Sequence, residues 1–166
     1  MKAAIMQPYF FPYIGYWQLI GAVDKFIILD DVTFIKQGYI NRNRILSKSM
    51  EVQPIQLQIQ GISTNKLICE HYLVPTTIWK NKLLKTLHLN YAKAPYFEST
   101  YSLIKSCLLH DSNNLSEFLT YQIRALVDFM GLQTEIDRSS EKYPNSDMKG
   151  QERIIDVCNQ NGANTY

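Results

Sequence analysis

The chain has 166 residues, of which 46% are apolar and 19% are charged, and its formal net charge is +2. This length is enough for one domain with its own core, and the composition excludes a disordered chain. The small charge argues against nucleic-acid binding, and no uninterrupted run of about 18 apolar residues is available to span a bilayer.

The cysteines and the first residues indicate a cytoplasmic protein. The three cysteines are odd in number, far apart and without a Cys-x-x-Cys pair, so neither a disulfide framework nor a zinc cage is expected. Residues 1–20 are apolar, but prolines interrupt them and no small-residue cleavage site follows, so no targeting sequence is predicted.

The first thirty residues predict a βαβ unit. Residues 2–6 form a short apolar strand, and residues 13–23 place apolar side chains at helical spacing, with Pro12 where a first helical turn tolerates it. Residues 26–29 are a continuous apolar run, which is typical of a strand covered on both faces of a parallel sheet. A parallel sheet that starts with this unit is therefore expected.

The middle of the chain predicts a loop followed by two strands. Residues 32–46 are basic and polar around a glycine, which indicates a loop leading into a short element. Residues 54–60 alternate apolar residues with glutamine, as a half-exposed strand does, and residues 66–74 are predicted as another strand.

The rest of the chain predicts an added helical part. Helices are expected at 78–92, capped by Thr76 or Thr77, and at 95–110, 115–131 and 150–162, with a strand at 133–138. The fold class is therefore α/β, predominantly a parallel sheet, in a single domain over residues 1–166. The ending after a helix cap leads us to expect a chain truncated at its C-terminus.

The segment QPYFFPYIGYW, residues 7–17, contains six aromatic residues around two prolines and a glycine. Such rigid rings can stack on sugars or bases at little cost in side-chain entropy. Phe10, Phe11 and Trp17 are expected to fill the core instead, because large apolar side chains are usually inside. The candidate substrate-binding residues of this segment are Gln7, Tyr9, Gly15 and Tyr16.

The second candidate segment begins at the end of the second predicted strand. Asp30 and Asp31 close that strand and are candidate catalytic carboxylates. The candidate substrate-binding residues that follow are Lys36, Tyr39, Asn41, Arg42, Asn43 and Arg44. Guanidinium groups bind phosphates and carboxylates, and asparagines recognise hydroxyls and amides. The alternative is a solvated loop in which Asp31 pairs with Arg42 or Arg44.

Both segments follow the carboxyl ends of predicted neighbouring strands, where ligands bind in open α/β sheets. We therefore expect them to lie on the same rim of the sheet. Among the histidines, His88 is the one catalytic candidate, and no histidine shows metal-ligand spacing, so no metal site is predicted.

With these residues in view, the chain resembles the WbqC-like family, which is associated with bacterial O-antigens and other surface polysaccharides. The resemblance covers Ile5 to Tyr16, Asp30 to Arg44, and two later blocks at 79–97 and 152–166. It implies transfer of an acyl or aminoacyl group, glycine among them, to a sugar. Relatives often carry histidine at the position of Met6 and near Leu83, and they continue beyond the last residues found here.

A looser likeness is to the nucleotidylyltransferase superfamily, whose His-x-Gly-His signature holds nucleotide phosphates at a helix start. Phe11, Pro12, Gly15 and Tyr16 follow that outline without its histidines. The likeness implies a Rossmann-like, nucleotidylyltransferase-like sheet.

Three functions are compatible with the sequence. The first is a transferase that acts on a sugar or nucleotide-sugar, with Asp30 or Asp31 as base, and with Lys36, Arg42 and Arg44 on a phosphate or carboxylate. The second is a nucleotide-dependent, adenylate-forming enzyme. The third is a non-catalytic carbohydrate-binding or scaffolding protein of the same pathway. The cofactor is left open between a nucleotide and an acyl-thioester donor, and the oligomeric state is not predicted.

Overall fold

The computed structural model describes residues 1–166 and contains two separate sheets. The strands are β1 (Ala3–Met6), β2 (Lys25–Ile28), β3 (Arg42–Leu46), β4 (Val52–Gln56) and β5 (Glu135–Arg138). The helices are α1 (Ile14–Gly21), α2 (Thr77–Tyr91), α3 (Phe97–Leu109), α4 (Leu115–Phe129), α5 (Ser139–Lys142) and α6 (Gly150–Gln160). This is the mixed α/β architecture expected from the sequence.

The predicted βαβ unit is confirmed. β1, β2 and β5 form a parallel sheet in the order β1-β2-β5, with Ala3 in register with Lys25 and Lys25 in register with Glu135. At the outer edge of β1, the Ala3 amide donates to the Thr165 carbonyl oxygen at 3.0 Å. Thr165 therefore forms a single parallel bridge with Lys2 alongside the first strand.

Side chains of the parallel sheet alternate between two apolar clusters. On one face, Ala4 of β1 and Phe26 and Ile28 of β2 pack with α1 and α4. On the opposite face, Ile5 and Ile27 pack against α6 and Tyr143. Period-two alternation thus builds a helix–sheet–helix sandwich. We call the first of these groups the sheet cluster.

Helix α4 is buried on two sides and joins the sheet to the rest of the molecule. Ile123 and Val127 contact the sheet cluster, whereas Leu115, Phe118 and Leu119 belong to a larger cluster formed with the β3–β4 hairpin, α2 and α3. We call this larger group the hairpin–helix cluster. It contains three of the four helices predicted for the added helical part, α2, α3 and α4, whereas α6 packs on the parallel sheet. Helix α4, common to both clusters, places the hairpin–helix cluster beside the parallel sheet.

The helix termini follow local capping rules. The Oγ1 of Thr76 accepts from the Ile78 amide at 3.3 Å, as predicted for the start of α2. The Asn114 side chain caps α4 by accepting from the Glu117 amide at 3.1 Å. After α4, Gly131 adopts a φ of +68°, a conformation that glycine enters without the steric penalty of a side chain. No helix combines the length and apolar character needed to cross a membrane.

The strand predicted over residues 66–74 is wrong. The chain forms a single 3₁₀ turn at Ile68–Glu70 instead, in which the Glu70 carboxylate accepts from the Leu67 amide at 2.7 Å. This side-chain hydrogen bond competes with strand pairing, and a short apolar run does not by itself distinguish the two conformations.

The hairpin differs in extent from the prediction. Residues 54–60 were expected to form one strand, but β4 covers Val52–Gln56 and pairs with β3, an element expected only as a short unit after a loop. Pro54 is tolerated because a two-stranded sheet leaves each strand with a free edge. Beyond β4, the Leu57 amide donates to the Asn41 carbonyl at 2.8 Å, so pairing continues irregularly.

Candidate functional site

The two unusual segments of the sequence meet beyond the carboxyl ends of β1 and β2. The Phe10 amide donates to the Tyr39 carbonyl oxygen at 3.0 Å, and the rings of Tyr9 and Tyr39 lie 6.1 Å apart between centroids. The Asn43 Nδ2 donates to the carbonyl oxygens of Phe10, at 3.0 Å, and Phe11, at 2.6 Å. The structure therefore brings the ring-rich and basic segments together.

Asn43 serves as a brace between these segments. Its Nδ2 holds the two carbonyls, and its Oδ1 accepts from the Arg44 amide at 2.8 Å, so both ends of the side-chain amide are occupied. Phe11 is held at a φ of +45°, in the left-handed region that bulky residues rarely adopt. Strain of this kind persists only where the surroundings enforce it, and here Asn43 supplies part of that constraint.

The two arginines of β3 have different surroundings. Arg42 donates from Nε to the Gly38 carbonyl at 3.0 Å and from Nη2 to the Gln37 carbonyl, which closes the turn before the strand. Arg44 is exposed, donates from Nη2 to the Tyr39 hydroxyl at 3.3 Å, and has no carboxylate within ion-pair distance. Most of the guanidinium donors of Arg44 are therefore free to bind an anion.

Three adjoining hollows surround this arginine. Two of them, of about 480 and 280 Å³, share Tyr39, Asn43 and Arg44, and we call them the outer cleft. A third, of about 430 Å³, lies between the hairpin and helices α2 and α3, and we call it the inner cavity. Asn43 and Arg44 line all three. No carboxylate or imidazole lines any of them, so their electrostatic character comes from arginine.

Other predicted binding residues lie behind the lining of the outer cleft and do not line it themselves. Tyr16 is buried, and its hydroxyl donates to the Gln7 carbonyl at 3.0 Å. Burial, reinforced by the neighbouring Tyr9, raises the pKa of Tyr16 far above its usual value, so the phenol stays neutral. A Cβ added to Gly15 would lie 2.5 Å from the Tyr13 ring, so glycine lets that ring fold over the start of α1.

Two further predicted binding residues lie outside the cleft. Asn41 is buried, and its Oδ1 has no hydrogen-bond partner, whereas its main chain pairs with the segment after β4. Lys36 is exposed in the turn before β3. Neither residue lines the outer cleft or the inner cavity.

Asp30 lies in a buried hydrogen-bond network. Its carboxylate accepts from the Ser140 hydroxyl at 2.7 Å, the Ser140 amide at 2.9 Å, the Ser139 hydroxyl and the Ser116 hydroxyl. These donors come from α4 and α5, so the carboxylate joins the end of β2 to two helices. It has no exposed surface and does not line the outer cleft or the inner cavity.

Asp31 pairs with an arginine far along the sequence. Its carboxylate forms an ion pair with the Arg153 guanidinium of α6, and the two side chains are 8% and 6% exposed. The pairing with Arg42 or Arg44 considered from the sequence does not occur. Asp31 and Arg153 line a separate hollow of about 570 Å³ at the start of α6.

His88 lies in the last turn of α2 and is exposed. Its ring packs edge-on against Phe97, at 5.4 Å, and Tyr101, at 5.6 Å, both of which line the inner cavity. His88 is thus one residue removed from that cavity and outside the outer cleft.

The structure adds residues that sequence reasoning did not single out. Ser116, Ser139, Ser140 and Arg153 surround the two aspartates, and Tyr91 and Tyr101 line the inner cavity. The Ser-Ser pair directly after the last strand was the one available signal for the aspartate network, because hydroxyls at a strand end suit a carboxylate on the neighbouring strand.

Fold and site together define a mixed α/β protein with a cleft of tyrosine rings and an unpaired arginine beyond its parallel strands. The chain belongs to the WbqC-like protein family, whose model matches residues 7–166. It is 30% identical over 167 residues to the uncharacterized protein Rv1507c of Mycobacterium tuberculosis (strain ATCC 25618 / H37Rv), an alignment that covers 99% of this chain and 71% of that protein. No solved structure matches the chain.

Proposed function

We propose that this protein is a transferase that binds a sugar phosphate or nucleotide-sugar in the outer cleft. The reaction is transfer of an acyl or aminoacyl group to the sugar, in the cytoplasmic stages of surface-polysaccharide synthesis. Family membership and the geometry around Arg44 support this proposal.

The observation that carries the proposal is an unpaired guanidinium beside two tyrosine rings. Arg44 offers bidentate donors to a phosphate, and Tyr9 and Tyr39 offer ring faces to a sugar or base. No carboxylate lines the cleft to repel an anionic ligand. A neutral apolar ligand would leave this charge unused, whereas a phosphorylated sugar would use both features.

Catalysis in this proposal draws on His88 and on the two aspartates in different ways. Acyl transfer forms a bond from the acceptor nitrogen or oxygen to the acyl carbon, and a base removes the acceptor proton as the leaving group departs. His88 lines neither the outer cleft nor the inner cavity but packs against Phe97 and Tyr101 of that cavity, and it is the proposed base acting through an intervening water. Asp30 and Asp31 are proposed to position the strand end, since their carboxylates are already occupied by serines and Arg153.

A second candidate function is non-catalytic carbohydrate binding in the same pathway. The specific observation that favours it is that no imidazole or carboxylate lines the cleft or the inner cavity. In that case the protein would present the bound sugar to a partner enzyme.

We also propose that the parallel sheet is nucleotidylyltransferase-like. The support is the parallel β1–α1–β2 unit and the position of Gly15 and Tyr16 in the first turns of α1, beyond the first strand. A nucleotide moiety in the outer cleft would fit this likeness.

Replacing the cleft arginine tests the proposed ligand. We expect Arg44→Gln to weaken binding of a UDP-sugar at least tenfold, because the variant loses a charge-assisted contact worth about 1.5–3 kcal/mol. Isothermal titration calorimetry with UDP-N-acetylglucosamine and UDP-glucose measures the effect.

A second variant tests the proposed base. His88→Gln should leave UDP-sugar binding unchanged while it lowers acyl transfer about 100-fold or more.

The matched control for Arg44→Gln is Lys85→Gln, which removes one exposed positive charge from α2 outside the cleft. It should bind like the native protein. Equal affinity in Arg44→Gln and Lys85→Gln would reject the assignment of the cleft. Retained transfer in His88→Gln would reject the assigned base.

A further inference from the structure

We infer that the inner cavity binds the hydrocarbon chain of an acyl donor, with the anionic part of that donor at Arg44. The acyl donor would be the second substrate of the proposed transferase, so this site rests on that function. The inner cavity thereby holds a ligand different from the sugar of the outer cleft.

The walls of the inner cavity present hydrocarbon even where the residues are polar. The Tyr91 hydroxyl accepts from the Leu46 amide at 3.0 Å, and the Tyr101 hydroxyl donates to the Leu84 carbonyl at 3.3 Å. Both hydroxyls are therefore used within the protein, and the rings line the space. Nine of the 13 lining residues are hydrophobic.

The remaining polar groups of the lining are few. The Asn43 side-chain amide is already hydrogen-bonded to main-chain atoms, and Thr100 contributes a single hydroxyl. Arg44, common to the inner cavity and the outer cleft, is the one charged residue of the lining. A sugar in this space would lose hydrogen bonds to water without replacement, whereas a chain of methylenes gains by leaving water.

The volume of the cavity and the backbone around it fit a small-molecule site. Its volume of about 430 Å³ lies within the range of about 300–1,000 Å³ that is usual for ligand pockets. Two of the three non-glycine residues with positive φ border it: Phe11 at +45° is a lining residue, and Tyr96 at +59° lies between the lining residues Pro95 and Phe97. Such conformations concentrate at ligand sites, where the surrounding structure enforces them.

Titration with acyl-coenzyme A thioesters of increasing chain length tests the inference on the intact chain. We expect affinity to rise from acetyl- to hexanoyl- to decanoyl-coenzyme A by up to about fourfold per methylene, the equivalent of about 0.8 kcal/mol, until the cavity is full. Decanoate is titrated in parallel, to separate a donor held by its thioester carrier from a free fatty acid with the same chain.

Two tryptophan variants of α3 localise the chain. Thr100 is exposed and lines the inner cavity, whereas Ser102 is exposed on the same helix and does not. Thr100→Trp should fill the cavity and lower decanoyl-coenzyme A affinity at least tenfold, with little effect on acetyl-coenzyme A. Ser102→Trp should leave the whole series unchanged. Thermal unfolding of both variants establishes that they fold.

A flat affinity series in the native protein, or a series that persists in Thr100→Trp, overturns the inference. If UDP-sugars still bind in either case and Arg44→Gln weakens them, the sugar site survives and the acyl site fails. If the acyl series behaves as expected but no sugar binds, the sugar site fails instead. If decanoate alone binds, the thioester donor is rejected.

Discussion

Asn43 holds the two segments of the site together, a role that its place in an Asn-Arg-Asn-Arg run does not indicate. Because β3 alternates, Arg42 and Arg44 are exposed while Asn43 is turned inward towards the Phe10 and Phe11 carbonyls. From the sequence the four residues formed one group of hydrogen-bonding side chains, since the segment was expected to begin as loop. Strand geometry gives the three residues of β3 separate roles: Asn43 is a brace, Arg42 closes the preceding turn, and Arg44 is a free cation. Asn41 precedes the strand and is buried.

Removing the brace should loosen the cleft. We expect Asn43→Ala to lower the free energy of unfolding by about 1–3 kcal/mol, since two partly buried carbonyls lose their donor. Urea denaturation measures the change, and Asn90→Ala, which removes an exposed contact with the Lys48 amide and a contact with the Gln53 side chain, is the control. An equal loss in both variants would contradict the role given to Asn43.

At the scale of elements, an ion cluster ties β5 to β2 and α5. The Asp137 carboxylate accepts from Lys142 Nζ at 2.8 Å and the Tyr143 hydroxyl at 3.2 Å, and pairs with Lys25 Nζ at 3.0 Å. Burial alone would raise the pKa of Asp137, but the hydrogen bonds from Lys142 and Lys25 outweigh it, so the pKa lies below its usual range. The cluster therefore stabilises the fold while Asp137 is ionised.

The sign of the resulting pH dependence follows from linkage. Because the native pKa is lowered, the contribution of Asp137 is complete above the unfolded-state value of about 3.9 and is lost as the pH falls through it towards the native pKa. Asp137→Asn should cost about 1–3 kcal/mol at neutral pH and remove this part of the acid-side decline. Urea denaturation between about pH 2 and 7 measures both effects.

Glu135→Gln is the comparison for that variant, because Glu135 also contacts Lys25 but its side chain is 58% exposed. Exposed ion pairs contribute about 0–1 kcal/mol, so its loss should be small and its pH profile close to that of the native protein. An Asp137→Asn profile parallel to the native one would show that the carboxylate is not the titrating group.

Whether an element could be predicted from the sequence depends on whether the interactions that form it are local. The parallel strands and every helix except the four-residue α5 were predictable, because their periodicity and caps are local, as at Thr76 and Gly131. The Ile68–Glu70 turn was not, since a short apolar run reads alike in a strand and in a turn. The β3–β4 pairing was missed because β4 contains Pro54 and the apolar alternation is broken. Leu46 and Val52 are exposed, whereas Asn43 and Gln53 are turned inward.

At the scale of the whole molecule, the end of β2 joins parts of the chain that are distant in sequence. Asp30 contacts serines of α4 and α5, and Asp31 pairs with Arg153, 122 residues away. No local pattern identifies which of the chain's 17 basic residues an aspartate will meet, so this pairing was beyond sequence reasoning. The acidic pair at the strand end was evident, but its partners were not.

A double-mutant cycle measures the buried pair. We expect Asp31→Asn and Arg153→Met each to cost about 3–5 kcal/mol, since each leaves a buried charge without its partner. The double variant should lose at least about 1 kcal/mol less than the sum of the two, as judged by urea denaturation. The more exposed pair Arg138 and Glu141 is the control cycle, with a coupling of about 0–1 kcal/mol. Additive losses at Asp31 and Arg153 would contradict their direct pairing.

Tyr9 touches both the sheet cluster and the hairpin–helix cluster, and it is a wall of the outer cleft. A molecule that stacks on this ring is therefore coupled, through Tyr9, to both the sheet cluster and the hairpin–helix cluster. Occupancy would then make their openings cooperative, so amide protons of α1 and α3 would slow their exchange with solvent together, although the two helices belong to different clusters.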